Sequence, residues 1–80
     1  MASNKPLRSH VRKAIRRYLK DMHTTEAEGL YRRLMAEIEP PLIEETLRHT
    51  AGNQSRAARI LGITRNTLRS KIRQYGIASK

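Results

Sequence analysis

The sequence predicts an all-α protein of four helices that ends in a helix-turn-helix. Apolar residues recur every fourth position through Leu7, Val11, Ile15 and Leu19, and again through Leu30, Leu34, Ile38 and Leu42, the spacing of one helix face. Two shorter helical patterns follow, each closed by a glycine: Gly62 after Leu61 and Gly76 after Tyr75. Glycine ends helices because the left-handed backbone there costs it least. Two short helices joined by a turn that contains glycine are the helix-turn-helix pattern.

The elements can be justified in order. Residues 1–5 read as a flexible tail. Pro6 suits a helix start, where its missing N–H would have no partner anyway. The ladder Leu7, Val11, Ile15, Leu19 is widened by Ala14, Tyr18 and Met22, and every cation of this segment except Lys5 lies outside it on the first helix. This is an amphipathic helix. His23-Thr24-Thr25 ends it, and Thr25 with Glu28 three residues on forms a capping box for the next.

The second helix is interrupted in sequence by Pro40-Pro41. A proline inside a helix removes a hydrogen bond and crowds the preceding turn, at a cost of about 3 kcal/mol or more. Either the helix breaks at Glu39 and restarts at Pro40, or it continues with a kink. The ladder from Leu30 to Leu42 keeps its phase across the prolines, which favours a continuous, kinked helix. With Ile43 and Leu47 added, the apolar residues exceed what one partner helix of the same chain would cover. A symmetric dimer follows, in which Leu7, Val11, Ile15, Leu19, Leu30, Leu34, Ile38 and Leu42 form the shared core. The chain is thus divided into a tail (1–5), dimerisation helices (6–50) and a helix-turn-helix unit (51–80), one domain overall.

Asn53 is placed to cap the third helix. Ala57, Ala58, Ile60 and Leu61 give that helix its apolar face, with Ala58 small where the two helices approach most closely. Thr64 can cap the fourth helix, in which Leu68 and Ile72 form the buried stripe.

Charge points to the partner. The formal net charge is +10, from 17 Lys and Arg against 7 Asp and Glu. All the acids lie within residues 21–50, so 1–20 and 51–80 are purely basic. The acidic middle suits protein contacts. An acid-free helix-turn-helix suits duplex DNA, where affinity comes above all from neutralising phosphates. Two copies related by a two-fold axis would read two half-sites.

Composition bounds the alternatives. A chain of 80 residues buries only about 60% of its unfolded surface, and without cysteine it has no disulfide or thiolate–metal staple. His10, His23 and His49 are scattered, no glycine-rich phosphate loop is present, and the carboxylates lie on solvated helix faces, so no enzyme, cofactor or metal is expected. No membrane span or signal peptide is expected. The basic first helix could lie on anionic lipid, but it lacks the Trp or Phe that such helices favour. Without Phe or Trp to stack on single strands, RNA ranks below duplex DNA. A cytoplasmic, nucleoid location is expected.

The runs Asn53-Gln-Ser-Arg-Ala-Ala and Leu61-Gly-Ile-Thr-Arg-Asn-Thr-Leu-Arg resemble the Fis family (factor for inversion stimulation), as do Pro6-Leu7-Arg8, Leu30-Tyr31, Ala36-Glu37, Pro41-Leu42 and Tyr75-Gly76. The resemblance spans about residues 5–77, which favours that family over a detached DNA-binding domain of an enhancer-binding activator. It implies a four-helix Fis-like fold, an intertwined homodimer that bends DNA, and a nucleoid-associated regulator of transcription. Its recognition helices would lie closer together than one turn of straight DNA. The site would have a G–C pair at each half-site end and an A/T-rich centre, read largely through deformability. RNA polymerase and a recombinase are the implied protein partners.

By position, the resemblance gives Arg65 a guanine edge. It places Asn53, Ser55, Arg56, Thr67, Arg69 and Lys71 where the family makes phosphate or groove contacts. Thr64 stands where the best-known members have an asparagine that reaches bases. Ala51 replaces a basic residue and Ser70 replaces a lysine. These departures predict fewer flank contacts and less wrapping of DNA. Only about five residues precede the first helix, so the family's N-terminal β-hairpin arm, and stimulation of inversion through it, are expected to be missing.

Overall fold

A computed structural model describes residues 6–21 and 29–78. The expected tail at 1–5, Met22, and the expected capping box of Thr25 and Glu28 lie outside the described residues. Among those described there are four α-helices and no strand: α1 (Leu7–Asp21), α2 (Leu30–His49), α3 (Gln54–Leu61) and α4 (Arg65–Tyr75). Packing divides the chain into two units, Met1–Leu30 and Tyr31–Lys80.

In the first unit, α1 starts directly after Pro6, whose carbonyl accepts from the Ser9 N–H at 2.9 Å. None of its residues is buried. Along its apolar ladder Leu7 is 76% and Leu19 44% exposed, while Val11 and Ile15 are half-buried.

In the second unit, α2 runs through Pro40 and Pro41 without a break, so the continuous reading holds. The helical φ suits proline; what is lost is two N–H donors, and the carbonyls of Ala36 and Glu37 go without the partners they would normally find four residues on. The helix carries two apolar stripes. Ile43 and Leu47 are buried. Leu30 and Leu34 are half-buried, and Ile38 and Leu42 are exposed.

Ile43 and Leu47 join Ala57 and Ala58 of α3, Leu68 and Ile72 of α4, and Ile77 in one core, with Leu61, Ile63 and Tyr75 packed against it. Residues before and after position 50 therefore share a single core. Ala57 and Ala58 sit where α3 meets its neighbours, and their small side chains allow the approach expected of Ala58.

All three helices of this unit end in the same way. The N–H of Gly62 donates to the Ala58 carbonyl at 2.8 Å and that of Ile63 to the same carbonyl at 3.1 Å. Gly76 and Ile77 repeat this at the end of α4, with Ile77 donating to Ile72 at 3.0 Å. Gly62 and Gly76 are left-handed, with φ of 79° and 63°, and the following isoleucine folds back toward the core, a Schellman ending. At the end of α2, Gly52 donates to the Leu47 carbonyl at 2.8 Å, and the left-handed residue before it is Ala51, with φ 54°. The buried Thr50 hydroxyl lies 3.2 Å from the Leu47 carbonyl and 3.1 Å from that of Asn53, which pins this turn.

Ala51 thus holds a conformation that costs an L-residue roughly 1–2 kcal/mol. Ala51→Gly is expected to raise stability by up to about 1 kcal/mol once glycine's own entropy is set against the relief. Urea or thermal unfolding measures it; an unchanged or lower midpoint would show that Ala51 is unstrained.

Candidate nucleic-acid interface

Two polar caps fix where the site begins. The side chain of Asn53 accepts from the Arg56 N–H at 3.0 Å, satisfying one of the open donors at the start of α3. The Thr64 hydroxyl accepts from the Thr67 N–H at 3.1 Å and donates to the Thr67 hydroxyl at 2.9 Å. Thr64 and Thr67 are therefore tied to each other, and Asn53 to its own helix. These three residues, expected from the sequence to contact DNA, shape the starts of α3 and α4.

The outer surface of α4 follows from what it buries. Leu68 and Ile72 go inward, so Arg65, Asn66, Thr67, Arg69, Ser70, Arg73 and Gln74 are left exposed. Arg65, Arg69 and Arg73 stand at i, i+4 and i+8, one row along the helix. On α3, Ser55, Arg56 and Arg59 are exposed. The structure thus leaves Ser55, Arg56, Arg65, Arg69 and Ser70 exposed. Asn66, Arg59 and Arg73 are exposed alongside them.

Lys71 differs from the other cations of α4. It is half-buried, and its ammonium lies 3.1 Å from Oε1 of Glu39 on α2. The Tyr75 hydroxyl donates to that same oxygen at 2.7 Å. The side chains of Lys71 and Glu39 are 29% and 23% exposed. The hydroxyl of Tyr75 is the main influence holding the Glu39 carboxyl below its usual value; partial burial opposes it and Lys71 assists. The same bond to Glu39, followed by burial and by the carboxylate's charge, raises the Tyr75 phenol. Nothing in the sequence pattern singled out Glu39, because its partners lie 32 and 36 residues away.

Two short helices around a glycine turn, the second presenting an acid-free row of arginines, define a helix-turn-helix protein. Residues 34–75 match the model of the bacterial regulatory proteins of the Fis family, and the chain belongs to that family. It is 51% identical over 72 residues to a Fis-like DNA-binding protein of Xylella fastidiosa strain Temecula1, covering 90% of this chain and 80% of the relative. It is 44% identical over 75 residues to the DNA-binding protein Fis of Pasteurella multocida, covering 94% and 76%. To that of Haemophilus influenzae Rd it is 43% identical over 75 residues, with the same coverage.

The Glu39 cluster gives a pH signature. Lys71 and Tyr75 face Glu39 from α4, and Arg32 of its own helix lines the same groove. A carboxyl held below its ordinary 4.5 stabilises the fold above that pH and loses its effect as pH falls through the folded value. The stability advantage of wild type over Glu39→Gln should therefore be full near neutrality and shrink below about pH 4.5. It should also fade above about pH 10, as the raised Tyr75 phenol ionises. Urea midpoints across pH test this, and an advantage that does not shrink as pH falls below 4.5 would exclude ionised Glu39 as its source.

Proposed function

We propose that this protein binds duplex DNA as an intertwined homodimer, bends it, and serves as a nucleoid-associated regulator of transcription in the bacterial cytoplasm. The observation that carries this is the exposed row Arg65, Arg69, Arg73 on the second helix of an acid-free helix-turn-helix. In the major groove, Arg65 would reach a guanine edge at each half-site end. Asn53, Ser55, Arg56, Thr64, Thr67, Arg69 and Ser70 would meet phosphates and groove walls, with Lys71 behind them, paired to Glu39. Backbone contacts of this kind set register, and base contacts set preference.

The homodimer is supported by apolar surface that a single chain leaves open. Leu7, Leu19, Ile38 and Leu42 are exposed, and a chain this small gains much by covering them. Residues 6–50 would dimerise and 51–80 would hold DNA. Bending is supported by family membership: recognition helices set closer than one duplex turn require a deformable, A/T-rich centre. RNA polymerase or a recombinase would be the protein partner at a bound site. We assign no catalytic role, in keeping with relatives described as DNA-binding. Among the described residues, no helix is long and apolar enough to cross a membrane.

Anisotropy titration at fixed, near-physiological salt tests the reading. The test duplex spans about two to three helical turns, with G–C at each half-site end and an A/T-rich centre; a shuffled duplex is the control. Preferred binding at two chains per duplex is expected. Equal, salt-sensitive binding to both would leave a generic DNA coater, and no binding would redirect the search to RNA, lipid or protein.

Arg65→Ala should cost about 1–3 kcal/mol on the test duplex and relax preference at one base pair per half-site. Equal losses on both duplexes would instead make Arg65 a phosphate contact.

A further inference from the structure

We propose that Glu39 is the positioning residue of the DNA-reading helix: by holding Lys71 and Tyr75 on one oxygen, it sets the rotation of α4 and so the aim of Arg65, Arg69 and Arg73. The inference rests on the DNA-binding reading above and adds a residue outside the helix-turn-helix to the determinants of sequence preference.

The argument starts from what the core leaves undetermined. The buried surface of α4 is Leu68 and Ile72, and apolar contact is non-directional. Two such side chains hold a helix against its neighbours but resist its rotation weakly. Hydrogen bonds are directional. Lys71 and Tyr75 stand one turn apart on α4, and both converge on Oε1 of Glu39, at 3.1 and 2.7 Å. A rigid helix pinned at two points along one edge has its rotation fixed, so the opposite row of arginines is fixed with it.

Glu39 is well anchored for this task. It stands at i−4 and i−8 from the buried Ile43 and Leu47, on the same face of α2. The next residue is Pro40, whose ring locks its own φ and restricts the residue before it. The carboxylate is thus carried on a stiff turn. It also compensates the charge of Lys71, at a side-chain exposure of 29%. Lys71 then acts through Glu39, in contrast to the open Arg69 and Arg73.

The test separates positioning from simple stabilisation. Wild type, Glu39→Gln, Tyr75→Phe and Lys71→Gln would be titrated with the preferred and shuffled duplexes, below the unfolding temperature of each. Glu39→Gln and Tyr75→Phe should lower the preference ratio about threefold to tenfold, the effect of one hydrogen bond. Affinity for the shuffled duplex should hold or rise, since Glu39→Gln removes an acid near the phosphates. Lys71→Gln should leave the salt slope unchanged, because a compensated ammonium releases no counterion.

Preference ratios equal to wild type in folded variants would reduce the cluster to a stabilising contact and overturn the proposal. So would a salt slope flattened by about one unit in Lys71→Gln, which would make Lys71 a phosphate contact. Tyr75→Phe deletes one oxygen and carries the test should Glu39→Gln not fold. A wild type without affinity for either duplex would overturn the DNA-binding reading itself, and intact wild-type binding with unchanged ratios would overturn only the role of Glu39.

Discussion

The unit of residues 31–80 depends on a core of seven side chains from three helices and the turn after α4. So small a core works only if its helices come close, and the alanines of α3 permit that. Ala57 and Ala58 are buried, and a larger side chain at either would force the helices apart, at a typical cost of about 1–3 kcal/mol. Leu68, fully buried, then fills the space between α3 and its neighbours. The same burial decides what α4 shows to solvent. Once Leu68 and Ile72 face inward, Arg65, Arg69 and Arg73 fall on exposed positions, and their finer aim is left to the contacts along the edge of α4.

The helix ends carry nearly as much of the organisation. Three turns with left-handed residues, at 51–52, 62 and 76, reverse the chain after α2, α3 and α4. At the second and third, the next residue is an isoleucine that returns to the core region. Each turn therefore closes a helix and contributes to the packing that holds it. Asn53 and Thr64 do the complementary work at the helix starts. Their side-chain oxygens cap the backbone, and both residues remain exposed at the helix starts.

The two apolar stripes of α2 have separate destinations. Ile43 and Leu47 complete the core of 31–80. Ile38 and Leu42 point elsewhere and are exposed, as are Leu7 and Leu19 of α1. A protein with few large core residues that leaves this much apolar surface open gains stability by association, which is the physical basis for the proposed dimer.

The sequence by itself determined the helices, their order and the turns. Periodicity marks the buried stripes, and glycine, asparagine and threonine mark the ends, all through interactions within four or five residues. It also determined that α4 is cationic and acid-free, and the phase of its ladder gave the continuity of α2 through Pro40 and Pro41. Tertiary structure decided what depends on distant partners. Ala51 carries the left-handed turn with Gly52, next to the buried Thr50. Lys71 reads from the sequence as one more phosphate contact; folding brings it to Glu39, 32 residues away. Local pattern places a charge on a helix face, but only packing decides whether water or a carboxylate lies opposite it.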